Sequence, residues 1–146
     1  NNNKQKNISN TVLKVIRILR DYQKFEILVV DDISIMRKIT LATLQKLDFD
    51  NLFEVVNGQE ALEALYRERF DQVISDWQKQ PVDGLELYKI ISGDATLQHQ
   101  RVLLVTAESD AVCSRQIEAA GVQDYLAKPI IFADLRQKVV LSLADQ

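Results

Sequence analysis

What most limits how this chain can fold is a series of short apolar runs, each closing on a turn or on a residue able to do chemistry. Glu26 to Val30 leads into Asp31 and Asp32, Gln72 to Ser75 into Asp76, Arg101 to Val105 into Thr106, and Val122 to Ala127 into Lys128. A fifth run, Leu52 to Val56, meets the turn pair Asn57-Gly58. Runs of four to six apolar, partly β-branched residues read as strands buried on both faces, the mark of a parallel sheet. The spacing predicts strands over 26–31, 52–56, 72–76, 101–106 and 122–126, with helices over 33–47, 58–69, 84–92, 109–119 and 131–143. Five βα units of this length imply an α/β fold, a doubly wound five-stranded parallel sheet with right-handed crossovers. Gly121, after Glu118 and two alanines, stands where a left-handed residue ends a helix. In open parallel sheets ligands bind beyond the carboxyl ends of the strands. Carboxylates, a hydroxyl and an ammonium are therefore expected on one sheet edge.

Residues 1–25 break the alternation. They hold six Lys or Arg and one acid, a net of +5, whereas 26–146 hold twelve and twenty, a net of −8, together the −3 of the whole chain. This division sets a 1–25 segment, a polar tail plus an amphipathic helix, against a 26–146 domain. The first seven residues read as a disordered tail, and Ser9 or Asn10 as the cap of a helix running to about Lys24. Ile8, Val12, Val15, Leu19 and Tyr22 form an apolar stripe of two heptads, with Lys14, Arg17, Arg20 and Lys24 beside it. Two heptads fall short of the three to four that argue a coiled coil. The stripe suits packing on the following domain, pairing in a homodimer, or a helix arriving from an upstream domain through residues 8–24. A membrane-surface helix fits least, because no bulky aromatic belt accompanies it.

Composition excludes several classes. No apolar stretch reaches the roughly 18 residues of a transmembrane span, and the amino-terminal segment lacks the apolar centre of a secretory leader. The single cysteine, Cys113, forbids an internal disulfide and reads as an ordinary packing or surface thiol; a reducing cytoplasm is the expected location. The chain begins with Asn1 and its one methionine is Met36, so a processed chain or a piece of a longer protein is expected. The acidic domain and the lack of a helix-turn-helix argue against nucleic-acid binding.

Three carboxylates at one edge repel each other unless a cation sits among them. All-oxygen ligation suits Mg²⁺, which keeps waters and uses one or two carboxylates with phosphate oxygens. Zinc and copper are poor fits, since His99 and Cys113 are distant in sequence from the strand ends. Lys128 can pair with a carboxylate and then with a phosphoryl oxygen, and Thr106 can donate to the same group. The set suits phosphoryl transfer onto a carboxylate, a known covalent strategy. Asp76 is the natural acceptor, because the adjacent Asp31 and Asp32 are better suited to holding metal. Any one acid at a strand end would be weak evidence, since loops are polar. Four sites on four strand ends are not.

The chain resembles the receiver domains of two-component response regulators, most of all the chemotaxis-type (CheY-like) receivers. The likeness rests on Leu28-Val-Val-Asp31-Asp32, Val73-Ile-Ser-Asp76-Trp77, Asp83-Gly84-Leu85, Val105-Thr106-Ala107-Glu108, Ala119-Ala-Gly121 and Tyr125-Leu-Ala-Lys128-Pro129, and covers 26–143. It implies a flavodoxin-like fold, with Asp76 as phosphoacceptor and Mg²⁺ held by Asp31, Asp32, Asp76 and the backbone carbonyl of Gln78. It further implies a cis peptide at Lys128-Pro129, Thr106 and Tyr125 as the switch pair, and Gln78 and Glu108 as positions that tune dephosphorylation. The implied partners are a histidine kinase or phosphotransfer protein, and a downstream target on the 109–143 face. Such a receiver assists its own phosphorylation and dephosphorylation without being a conventional enzyme. One departure stands out: the family usually has proline four residues after the acceptor, where this chain has Gln80, with Pro81 next. An altered 76–83 loop and an unusual phosphoryl lifetime are expected from it. His99 reads as an exposed residue, because the donor histidine belongs to the kinase. Competing readings are an interaction domain independent of phosphorylation that acts through the amino-terminal helix, and a metal-dependent phosphatase or nucleotide enzyme. The latter lacks a Gly-rich P-loop.

Overall fold

The apolar runs become strands because their alternate side chains find cover on both sides. The computed structural model describes residues 2–76, 84–107, 111–122 and 124–144. Strands β1 (Glu26–Val30), β2 (Asn51–Val55), β3 (Gln72–Asp76), β4 (Val102–Ala107) and β5 (Tyr125–Lys128) form one parallel sheet in the order β2-β1-β3-β4-β5. Leu28, Val30, Val73, Val102 and Leu104 point to one face, where they meet Ala61 and Leu65 of α3 (Gly58–Arg67), Leu87 and Ile91 of α4 (Gly84–Gly93) and Ile117 of α5 (Ala111–Ala119). Ile27, Val29, Ile74, Leu103 and Val105 point to the other. There they meet Leu44 of α2 (Ser34–Lys46), Leu135, Val139 and Leu143 of α6 (Phe132–Ala144), and Ile18 of α1 (Asn2–Asp21). This period-two division over two helical layers is the doubly wound fold expected from the sequence.

The edge strands depart from the both-faces rule. On β2 none of the five residues is fully buried, and on β5 only Leu126 is. The fifth strand also starts later than expected, at Tyr125 instead of 122. Gly121 takes a left-handed φ of 74° after α5, and Val122 packs into the core before pairing begins at Leu104↔Tyr125. Helix α3 starts on a reciprocal cap: the Asn57 side chain accepts from Glu60 N at 2.9 Å, and the Glu60 carboxylate accepts from Val56 N at 3.0 Å.

The amino-terminal segment corrects the sequence reading. Helix α1 begins at Asn2, without the expected tail, and runs through Ser9 and Asn10 to Asp21, followed by a 3₁₀ turn over Tyr22–Lys24. No proline or glycine precedes residue 58 to stop it, so the cap-type residues are carried inside the helix. Its docking residue is Ile18, 5% exposed, which lies outside the heptad stripe; Val15 packs beside it, while Ile8 and Val12 are exposed, together with Leu13 and Ile16. The side chains of Leu19, Tyr22 and Cys113 lie outside the described residues. Among the described residues no helix is long and apolar enough to cross a membrane.

One acidic edge carries a measurable cost. Partial burial, then Glu68 and Asp71 nearby, push the Glu26 carboxyl above the ordinary carboxylate range. A raised folded-state pKa means that the neutral form is favoured in the fold; its stabilisation is full at low pH and lost as pH rises through the folded value. Glu26→Gln is therefore expected to stabilise the chain at pH 7 by about 0.5 kcal/mol. The gain should fade below pH ~4.5, as urea melts at the two pH values would show.

Candidate phosphoryl-acceptor site

Topology decides where the charged strand ends meet. The chain leaves β1 in one direction toward β2 and later in the other toward β3, so the crevice between β1 and β3 is the switch point at which such sheets hold ligands. Asp31 follows β1 directly and Asp76 closes β3, in strands paired through Val30↔Ser75. Both side chains are buried, at 5% and 6% exposure, whereas Asp32 is exposed. Asp31 Oδ1 accepts from Ile33 N at 2.9 Å, which curls the chain from strand into helix α2.

Lys128, at the end of β5, reaches back across β4: its Nζ donates to Asp76 Oδ2. That side chain is 26% exposed, so the ammonium sits at the rim, between water and the buried carboxylate. The Lys128–Pro129 peptide is cis. Thr106 lies on β4 one residue beyond Val105, the partner of Asp76, and is buried. Tyr125 pairs with Leu104 on the next strand and its side chain is exposed.

Directly beneath the carboxylates is a cavity of about 10 Å³ with Asp31, Met36, Thr40, Asp76, Lys128 and Ile130 in its lining, hardly room for one water. Larger hollows, such as one of about 410 Å³ between β2 and α3, are lined by glutamates, Arg67 and apolar side chains but by none of Asp31, Asp76, Thr106 and Lys128. Charge, not volume, marks the site.

The donors fit a hard divalent cation. Two buried carboxylates from adjacent strands, with waters completing an octahedron, are what Mg²⁺ accepts. Among the described residues no three His, Cys, Asp or Glu side chains converge into a protein-only metal cage.

The sequence pattern predicts Asp31, Asp76, Thr106 and Lys128 at one edge, and the fold places them there. Gln78, Glu108, Trp77 and the Gln80-Pro81 departure lie outside the described residues. His99 is exposed, near Arg69 and Gln100 and away from the site. One residue escaped the sequence reading. Arg37 Nη1 donates to the Asp31 carbonyl at 2.7 Å and its Nε to Glu54 Oε1 at 3.0 Å.

Comparison with known proteins bears on the family and the fold. The family model described as the response regulator receiver domain matches residues 27–140. The chemotaxis protein CheY-3 of Vibrio cholerae serotype O1 is 38% identical over 117 residues, which cover 80% of this chain and 90% of that protein. CheY of Pseudomonas aeruginosa is 36% identical over 114 residues, covering 78% and 92%. Among solved structures, the receiver domain of a Syntrophus aciditrophicus histidine kinase superposes with a TM-score of 0.77 at 28% identity, covering 83% of this chain and 91% of that one. The receiver domain of the sensor histidine kinase PA1611 from Pseudomonas aeruginosa, with a magnesium ion coordinated in its active-site cleft, gives 0.73 at 25% identity, covering 84% and 98%.

Proposed function

The chain belongs to the response regulator receiver family, and from that premise we propose that it accepts a phosphoryl group on Asp76 and thereby switches its affinity for a partner. The observation that carries the reading is the Lys128 ammonium donating into buried Asp76. A carboxylate with Asp31 one strand away and Thr106 on the other side is equipped to attack phosphorus and to have the new charge met at once. In the transfer, an Asp76 oxygen forms the bond to phosphorus as the bond to the donor group breaks. Lys128 then moves its hydrogen bond from the carboxylate to a phosphoryl oxygen, and Thr106 donates to another. Asp31, Asp32, Asp76 and the backbone carbonyl of Gln78 would hold Mg²⁺, which neutralises the oxygens of the entering group when bound.

Phosphate offers Thr106 a new acceptor, which biases a surface with two accessible states. Tyr125, on the exposed edge strand, would follow Thr106 inward and carry the change to the 109–143 face, where a downstream target docks. The donor is a histidine kinase or phosphotransfer protein in the cytoplasm. Hydrolysis of the acyl phosphate, assisted by the same residues and tuned at Gln78 and Glu108, resets the switch.

Lys128→Ala tests the role of the ammonium. Acetyl phosphate should still modify Asp76, but the initial rate should fall by about 10²-fold, the usual effect of removing one preorganised donor from a developing anion. A rate within twofold of the wild type would remove Lys128 from the chemistry.

A second role attaches to α1. Its exposed Ile8, Val12, Leu13 and Ile16 favour contact with another copy or with an upstream domain through residues 8–24. Sedimentation of the chain and of Val12→Asp/Ile16→Asp tests the first of these: association lost in the variant supports a homodimer, and a monomeric wild type at every concentration excludes it.

A further inference from the structure

Arg37 lies on α2, six residues after Asp31, in a position no strand-end motif marks. Its side chain is 12% exposed, and its guanidinium divides between two acceptors, the Asp31 carbonyl oxygen and the Glu54 carboxylate on β2. The first acceptor belongs to the peptide that joins Asp31 to Asp32. Pinning that carbonyl fixes the rotation of the peptide plane, and with it how the two neighbouring carboxylates are disposed toward each other. The same short segment is tied at three further points. Asp31 N donates to Val55 O at 3.3 Å, Ile33 N to Asp31 Oδ1 at 2.9 Å, and Arg37 N to Ile33 O at 2.9 Å. Arg37 therefore closes a ring from α2 through the acidic turn to β2 and back.

We propose that Arg37 is a positioning residue that holds the Asp31–Asp32 turn in the geometry required for divalent-cation binding, with Glu54 anchoring its guanidinium. The inference rests on the reading of Asp31 and Asp32 as cation ligands. A planar fork suits the task, because it serves two acceptors in fixed directions, which a lysine ammonium does not. Glu54 also offsets the charge of Arg37, which would otherwise oppose a dication nearby.

The sign of the effect separates this role from a purely electrostatic one. Deleting a cation beside a dication site should tighten binding, whereas releasing a positioned ligand pair should weaken it. Calorimetric titration of the whole chain with MgCl₂, for wild type, Arg37→Ala and Arg37→Lys, reads that sign directly, and thermal melts without Mg²⁺ report any separate loss of stability. Positioning predicts that Arg37→Ala raises the Mg²⁺ Kd about tenfold or more, the usual effect of losing an outer partner of metal ligands. Arg37→Lys should move it the same way despite its unchanged charge. An Arg37→Ala chain that binds Mg²⁺ as well as or better than wild type overturns the proposal. If Arg37→Ala does not fold, Arg37→Lys decides: a wild-type Kd there overturns the proposal and a raised Kd supports it. A wild type that takes up no Mg²⁺ overturns the cation-site reading itself, and this inference with it.

Discussion

Asp76→Asn is expected to end phosphoryl uptake entirely while leaving the sheet intact. The amide has the shape of the carboxylate and its oxygen still accepts from Lys128, so the crevice between β1 and β3 keeps its packing. What disappears is the anionic oxygen able to attack phosphorus, and among the described residues the other two acids of the crevice are otherwise placed: Asp31 accepts from Ile33 N and Asp32 is exposed. The ion pair becomes a neutral–charged hydrogen bond, and because Lys128 reaches the rim, water takes up part of the difference. The stability change should stay near ~1 kcal/mol. The Mg²⁺ Kd should rise, since a ligand carboxylate is gone. Incubation with acetyl phosphate and Mg²⁺, followed by intact-mass measurement, should show no phosphorylated species. A variant that still gains a phosphoryl group would move the acceptor elsewhere.

The largest expected loss of stability comes from the face of the sheet opposite α3, α4 and α5. Leu135 on α6 is fully buried against a cluster that includes Ile27, Ile74 and Val105, all from strands that end at the site. Leu135→Ala removes its branched end and leaves a hole under the sheet, at about 3–4 kcal/mol. Domains of this size have only about 5–15 kcal/mol to lose, so the urea midpoint should drop by about a fifth or more. Leu141→Ala, on the same helix but 52% exposed, should change stability by less than about 0.5 kcal/mol. The pair makes a direct check that α6 is held by its inner face. Because α6 follows β5 and covers the sheet beside Lys128, loosening it should also slow phosphorylation under conditions where the fold survives.

The central strands are legible in the sequence because they are buried on both faces and so consist of unbroken apolar runs. Their ends are legible because polar residues begin where cover stops. That is why the chain itself is enough to place Asp31, Asp76 and Thr106 at one edge. The fifth strand starts three residues later than its pattern suggests. Val122 looks like a strand residue but is buried by the turn at Gly121, and pattern alone does not separate the two kinds of burial. The amino-terminal helix differs from its pattern in start and in phase. Ser9 and Asn10 are cap residues only if a helix starts there, and which side of α1 faces the domain is settled by where Ile18 docks, not by the heptad stripe. Arg37 leaves no signal at all. Its role depends on how α2 is rotated over the end of β1 and on Glu54 lying one strand away, relations that exist only after folding.

The central claim is that Asp76 is the phosphoacceptor of a working switch. It is tested most directly by incubating the wild-type chain with acetyl phosphate, with Mg²⁺ or with EDTA, then measuring intact mass and mapping the modified peptide after borohydride trapping. The account predicts a single added phosphoryl group, located on Asp76 and formed only with Mg²⁺. An unmodified chain under conditions where Mg²⁺ is bound, or a phosphoryl group mapped to any other residue, would contradict it.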